Sequence, residues 1–215
     1  MSADPTSDAQ LEVEALCKSF GGITALDGVS FQVEPGTLTG LIGPNGAGKS
    51  TTFNTITGSL QPDSGKVRFA GEDITAHSPD RIAQKGLVRT FQISREFQNM
   101  TVIENLMLAP SAQDGESMLR SITPGLRSGV REQEEALFER AWDMLELFDI
   151  DHLALENAGA LSGGQRKLLE LARALMLDPQ MLMLDEPFAG VNPTLEKTLI
   201  DRIESLRDSG QTFLP

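Results

Sequence analysis

The chain has one cysteine, Cys17, and two histidines, His77 and His152, among 215 residues. A single thiol excludes an internal disulfide and a cysteine-based zinc cluster. Two isolated imidazoles add little toward a metal site, so a bound metal has to be held by oxygen ligands. Basic residues are scarce too: Lys and Arg number 18 against 31 Asp and Glu, a net charge of -13, and no basic run is longer than Arg166-Lys167. Phosphate backbones are recognised by a basic stripe, and its lack argues against a nucleic-acid partner. Long apolar runs are also missing, since stretches such as residues 181–184 fall far short of the ~20 residues that cross a bilayer. The first ten residues are polar and acidic, without the basic and apolar regions of a secretory signal, which reads as a soluble protein kept inside the cell. Arginine outnumbers lysine twelve to six. With acids dominant, that balance suits a salt-rich interior as well as an ordinary acidic cytosol.

What is present is ordinary globular material. Hydrophobic residues make up 40%, and a chain this long buries roughly 70% of its unfolded surface, so a core forms without staples. Residues 11–17 and 29–33 alternate apolar and polar, with Phe20-Gly21-Gly22 and Asp27-Gly28 as turn formers between them, which predicts short antiparallel strands. Residues 38–42 form an apolar strand that enters a glycine loop, followed by a helix ending near Gly58. Residues 65–70 read as a strand, Ser78-Pro79 opens a short helix closed by Gly86, and a strand at 87–91 delivers Gln92 at its end.

From Thr101 the pattern is helical. Thr101 and Glu104 have capping-box spacing, and Leu137, Ala141, Leu145 and Phe148 mark a long helix from about Arg131, beyond a Gly/Ser-rich surface loop at 110–130. A helix at about 166–177 and a buried strand at 181–184 follow. The last helix is capped by Asn192, begun by Pro193 and ended by Gly210, with Leu195, Leu199, Ile203 and Leu206 as its apolar face. The expected fold is α/β with a mostly parallel sheet, an N-terminal antiparallel part and a helical insertion. No internal repeat or low-complexity segment occurs.

Three segments carry chemistry. Gly43-Pro44-Asn45-Gly46-Ala47-Gly48-Lys49-Ser50 matches GxxxxGK[ST], and the backbone N–H groups of such a loop point inward because Gly46 and Gly48 place no side chain in the way. Phosphates sit on the positive end of the helix that follows, which Thr51 continues. Lys49 neutralises the β- and γ-phosphates, and the Ser50 hydroxyl is a hard ligand suited to Mg²⁺. The apolar strand 181–184 ends in Asp185-Glu186, at the carboxyl edge of a parallel sheet. Asp185 suits the magnesium ion, and Glu186 suits the water that attacks the γ-phosphate. Leu161-Ser162-Gly163-Gly164-Gln165 opens an amphipathic helix, and Ser162, the bare glycines and exposed N–H groups there make either a second anion pocket or a plain helix cap.

The loop at 43–50, Gln92, Leu161 to Gln165 and the Leu184-Asp185-Glu186 strand end occur in an order that resembles the ATP-binding cassette (ABC) transporter ATPases. The resemblance covers the chain from about Leu11 onward. It implies a P-loop NTPase core at about 11–92 and 161–215, a helical subdomain at about 93–160 and a flexible tail at 1–10. It also implies ATP and Mg²⁺ as ligands, and a second nucleotide-binding subunit, the same or a paralogue, whose Ser162-type segment completes each ATP site. Transmembrane permease subunits hold the pair at the inner face of the cell membrane, and a solute-binding protein acts with them indirectly. On the same resemblance Phe20 stacks on adenine, its alternative being core packing, and Gln92 joins the magnesium chemistry to the helical subdomain.

Arg89-Thr90-Phe91-Gln92, the run Met100 through Leu106, and Phe188 through Pro193 look most like the ATPases of branched-chain amino acid importers. The Phe188-Ala189-Gly190-Val191 stretch is also similar to lipopolysaccharide-export ATPases. Asn192 stands where many members carry an aspartate. Family members continue beyond the 210–214 strand to a switch histidine; His77 and His152 lie elsewhere, and Pro215 interrupts that strand, so the expectation is a truncated C-terminus. That leaves two further readings. One is a nucleotide-binding module without hydrolysis. The other is a soluble ABC ATPase of ribosomes or DNA, against which the missing second cassette and missing basic surface count.

Overall fold

The computed structural model describes residues 9–90, 97–110, 127–189 and 191–215, with backbone alone at 127–130. It divides into two compact units: Met1–Thr90 with Pro179–Pro187 and Glu204–Pro215, and Phe91–Asp178 with Phe188–Ile203.

In the first unit, β1 (Leu11–Phe20) and β2 (Ile23–Val33) form an antiparallel hairpin, longer than the alternation predicted. β3 (Ser64–Phe69) pairs with the other edge of β1, and the two-residue β4 (Glu72–Asp73) pairs with β3, giving the order β2-β1-β3-β4. The second sheet is parallel: β5 (Leu87–Arg89), β6 (Met181–Met183) and β7 (Thr212–Leu214) lie in that order. The strand expected at 38–42 is a single bridge, Leu38 to Phe213, extended by hydrogen bonds from Thr39 N to Phe213 O (3.0 Å) and from Phe213 N to Thr37 O (2.8 Å). It continues the parallel ladder beyond β7, although Ile42, the last residue of the expected apolar strand, is 95% exposed.

Two helices complete this unit, α1 (Lys49–Ile56) and α2 (Pro79–Gln84), the latter opened by Ser78-Pro79 and followed by Gly86 at φ +89° as the sequence implied. Leu11, Val13 and Leu16 of β1, Val67 and Phe69 of β3, Phe53 and Ile56 of α1, and Leu87, Met181, Met183 and Leu214 of the parallel sheet share one buried core. Both sheets thus close on α1, which fixes the start of α1 against the sheet edge.

The second unit is helical: α3 (Val102–Met107), α4 (Arg127–Leu147), two 3₁₀ turns, Asp151–Leu153 and Ala158–Ala160, and α5 (Gly163–Leu175). The Thr101–Glu104 capping box is formed, with Glu104 N donating to Thr101 Oγ1 and Thr101 N donating to Glu104 Oε2 at 2.8 Å. α4 starts at Arg127, inside the stretch read as loop, and residues 111–126 of that loop lie outside the described residues. Ala141, Leu145 and Phe148, predicted as its apolar stripe, are fully buried, whereas Leu137 is half-buried. α6 (Pro193–Asp208) begins at Asn192, whose Oδ1 accepts from Leu195 N at 3.0 Å; Leu199 and Ile203 of its predicted face are buried. No helix of the described residues is long and apolar enough to cross a membrane.

Candidate functional site

β7 brings two of the three segments to one edge. Leu41 N donates to Pro215 O and Leu184 N donates to Leu214 O, each at 2.9 Å. The backbone entering the 43–50 loop and the backbone leaving β6 therefore flank the same strand, two strand spacings or ~10 Å apart. All run in the same sense, so the loop and Asp185-Glu186 open together at the carboxyl edge, where parallel sheets bind ligands.

The loop is shaped by backbone that only glycine adopts without strain. Gly46 and Gly48 both stand at φ +85°, and a Cβ on Gly48 would lie 2.6 Å from the Ala25 carbonyl oxygen. Ala47 N donates to Pro44 O at 3.1 Å, closing the turn, while Pro44, Asn45, Gly46 and Ala47 stay exposed. Gly48 caps α1 without a side chain, and no acidic residue occupies the first turn. Nothing within the helix thus offsets the positive end of its dipole, the condition for an anion site. Lys49 Nζ donates to Gly43 O at 2.5 Å and to Pro44 O at 3.1 Å, which holds the ammonium inside the loop. Ser50 is exposed and Thr51 half-buried at the same end.

Across β7, Asp185 is half-buried and pairs with Arg89, whose Nη2 donates to Asp185 Oδ2. Glu186 is exposed and stands at φ +48°, a left-handed backbone in a residue other than glycine. Such a conformation costs about 1–3 kcal/mol and gathers at functional sites. The donor set suits magnesium: a hydroxyl and a carboxylate are hard oxygen ligands. Among the described residues no cluster of three or more His, Cys, Asp or Glu could cage a metal alone. Magnesium fits that pattern, because it is held by one or two carboxylates together with substrate phosphates.

Phe20 closes β1, is 47% exposed and lies outside the buried core that α1 shares with the two sheets; Lys18 Nζ lies 5.7 Å from its ring centroid. Gln92 lies outside the described residues. In the second unit, Ser162 and Gln165 form a capping box: Ser162 N donates to Gln165 Oε1 at 2.9 Å and Gln165 N to Ser162 Oγ at 3.3 Å. Gly164 is buried, and a Cβ there would run into Leu195. Gly163 is exposed, and among the described residues nothing lies within 4 Å of where a Cβ would stand. His77 is half-buried and His152 exposed.

Two residues that the sequence offered only as parts of longer resembling segments, with no role of their own, matter here. Arg89 is 8% exposed and bonds Asn54 on α1 as well as Asp185. Its signal was a charge inside an otherwise apolar strand, which a fold tolerates only with a partner. Asn105 is fully buried, donating through Nδ2 to Thr101 O at 2.9 Å and to Phe97 O at 3.1 Å while its Oδ1 accepts from Phe97 N at 2.8 Å, so it pins the segment entering α3.

A family model described as "ABC transporter" matches residues 26–189. A probable branched-chain amino acid transport ATP-binding protein, LivG, of Archaeoglobus fulgidus is 45% identical over 204 residues, 95% of this chain and 77% of that protein. The high-affinity branched-chain amino acid transport ATP-binding protein BraF of Pseudomonas aeruginosa is 43% identical over 92% of this chain and 76% of its own length. LivG of Escherichia coli is 39% identical over 97% and 81%. Among solved structures, a nucleotide-free ATP-binding cassette from an ABC transporter superposes with a TM-score of 0.79 at 43% identity, over 96% of this chain and 80% of that one. The ADP conformation of an ATP-binding cassette gives 0.81 at 42%, over 97% and 80%.

Proposed function

The chain belongs to the ABC transporter family, as an ATP-binding protein, and we propose that it hydrolyses ATP to power the uptake of branched-chain or other hydrophobic amino acids. The observation that carries the reading is the shared sheet edge: β7 sets the 43–50 loop and Asp185-Glu186 on its two flanks. The kind of solute is supported by the relatives' names, branched-chain amino acid transport ATP-binding proteins, and not by any group of the site itself.

In this reading the N–H groups of residues 46–51 and the positive end of α1 bind the β- and γ-phosphates. Lys49 Nζ turns from the Gly43 and Pro44 carbonyls to those phosphates, and the exposed ring of Phe20 stacks on adenine. Ser50, Asp185 and Gln92 would hold magnesium, which when bound neutralises charge on the phosphates. Glu186 orients the attacking water and accepts its proton as ATP and water become ADP and phosphate. Ser162, Gly163, Gly164 and Gln165 serve the ATP of a second cassette, and permease subunits anchor the pair at the cytoplasmic face of the membrane. The capping box engages Ser162 and Gln165 and leaves Gly163 open: no contact among the described residues requires a glycine there, and a closely approaching phosphate would.

Two substitutions test the reading. Glu186→Gln should retain ATP binding and lower turnover by about 10²–10⁴-fold, the scale of a positioned general base. Lys49→Ala should weaken nucleotide affinity instead. Equilibrium binding of a fluorescent nucleotide beside single-turnover phosphate release separates the two effects. Undiminished turnover in Glu186→Gln would remove Glu186 from its role.

A further inference from the structure

Arg89 ends β5 with its side chain 9% exposed, and its nitrogens are not equally engaged. Nη1 donates to Asn54 Oδ1 at 2.7 Å, Nη2 donates to Asp185 Oδ2, and Nε has no hydrogen-bond partner among the described residues. The guanidinium carbon lies 5.4 Å from the centroid of the Phe53 ring. Strand register explains the meeting. Arg89 pairs with Met183, whose side chain lies in the core shared with α1, and Asp185 follows two residues on, just past the end of β6, within reach of the guanidinium.

A buried guanidinium is tolerated only beside a counter-charge, and Asp185 is that counter-charge. The same carboxylate is the one assigned above to the magnesium side of the site, so one acid serves two cations. The Arg89 bond engages Oδ2 and, among the described residues, leaves Oδ1 as the oxygen for a metal. Lys49 and Arg89 together balance Asp185 and Glu186, which leaves the four groups with no net charge. A free dication is then weakly attracted, whereas one arriving on a triphosphate is carried in by the ligand's own negative charge.

We propose that Arg89 is a positioning residue that gates the metal: it neutralises Asp185 so that this edge takes a divalent cation only together with a nucleotide. Because Asn54 and Phe53 belong to α1, the same contacts fix Asp185 relative to the phosphate loop. The inference rests on reading Asp185 as the magnesium-side carboxylate, and its test keeps the two apart.

Mn²⁺ in place of Mg²⁺ allows electron paramagnetic resonance to count bound ions. The nucleotide-free chain should show no saturable Mn²⁺ site at sub-millimolar levels, and one site per chain once ADP is added. Arg89→Gln should take up Mn²⁺ without nucleotide, at least about tenfold more tightly than the unaltered chain, the scale of one neighbouring charge acting on a carboxylate. Its thermal midpoint should rise on adding Mn²⁺ alone, which a merely structural loss would not produce. Asp185→Asn added to Arg89→Gln should abolish that site. Absence of uptake by Arg89→Gln would overturn the gate. So would a nucleotide-free site in the unaltered chain that Asp185→Asn removes, and this arm decides by itself if Arg89→Gln does not fold. If Asp185→Asn alone leaves Mn²⁺ binding with ADP unchanged, the reading of Asp185 fails. If that binding falls while Arg89→Gln stays silent, the reading stands and only the gate is lost.

Discussion

Gly163 and Gly164 are neighbours in one motif, yet the fold constrains them differently. Gly164 is buried under Leu195, whereas Gly163 faces open space. An alanine at 164 has to turn the Leu195 tip aside, at about 1 kcal/mol, the low end of overpacking because that tip is mobile. An alanine at 163 should leave stability within about 0.5 kcal/mol, as surface changes do. If Gly163 is bare so that a phosphate of a second cassette can approach, Gly163→Ala should still abolish ATP-driven pairing. Urea unfolding measures the first effect and sedimentation with ATP the second. A Gly163→Ala chain that pairs normally would return this segment to the plain helix cap that Ser162 and Gln165 already make.

At the scale of elements, the capping box of α3 makes a pH-dependent statement. Hydrogen bonds from Thr101, backbone first and side chain second, hold the Glu104 carboxyl below its ordinary value. A carboxyl lowered in the folded state contributes stability above its unfolded value, and that contribution is lost as pH falls through the folded value. Glu104→Gln keeps the reciprocal bonds but cannot titrate. The urea midpoints of the two chains should therefore differ by a constant amount at neutral pH and converge below the ordinary glutamate range. A gap that stays constant into acid would remove the ionised Glu104 from the cap.

This box was legible in the sequence because it is local: four consecutive positions contain the whole interaction. The same holds for the 43–50 loop, whose glycines answer to backbone angles, and for the Asn192-Pro193 start of α6. What the sequence did not disclose is long-range. The parallel order β5-β6-β7 with Leu38 beyond it joins segments that lie from tens to well over a hundred residues apart. The ion pair of Arg89 with Asp185 depends on that register, so no spacing along the chain could announce it. Residues 38–42 show the converse. An apolar run reads as a strand, but its burial depends on what lies beside it, and here Ile42 is exposed.

For the whole molecule, the net charge of -13 bears on how two copies meet. If ATP is gripped between the 43–50 loop of one cassette and the Ser162 segment of another, two strongly acidic bodies have to approach closely. Their repulsion acts over the Debye length, which shrinks from about 10 Å at 0.1 M salt to about 3 Å at 1 M. The Glu186→Gln chain with ATP should therefore pair more tightly as ionic strength rises, with the dissociation constant falling severalfold between roughly 0.1 and 0.5 M salt. Sedimentation equilibrium across a salt series reads this directly. Close complementary ion pairs at the contact would give the opposite slope, since salt weakens those. A dissociation constant that rises with salt would thus place local charge pairing, rather than the overall acidity of the chain, in control of assembly.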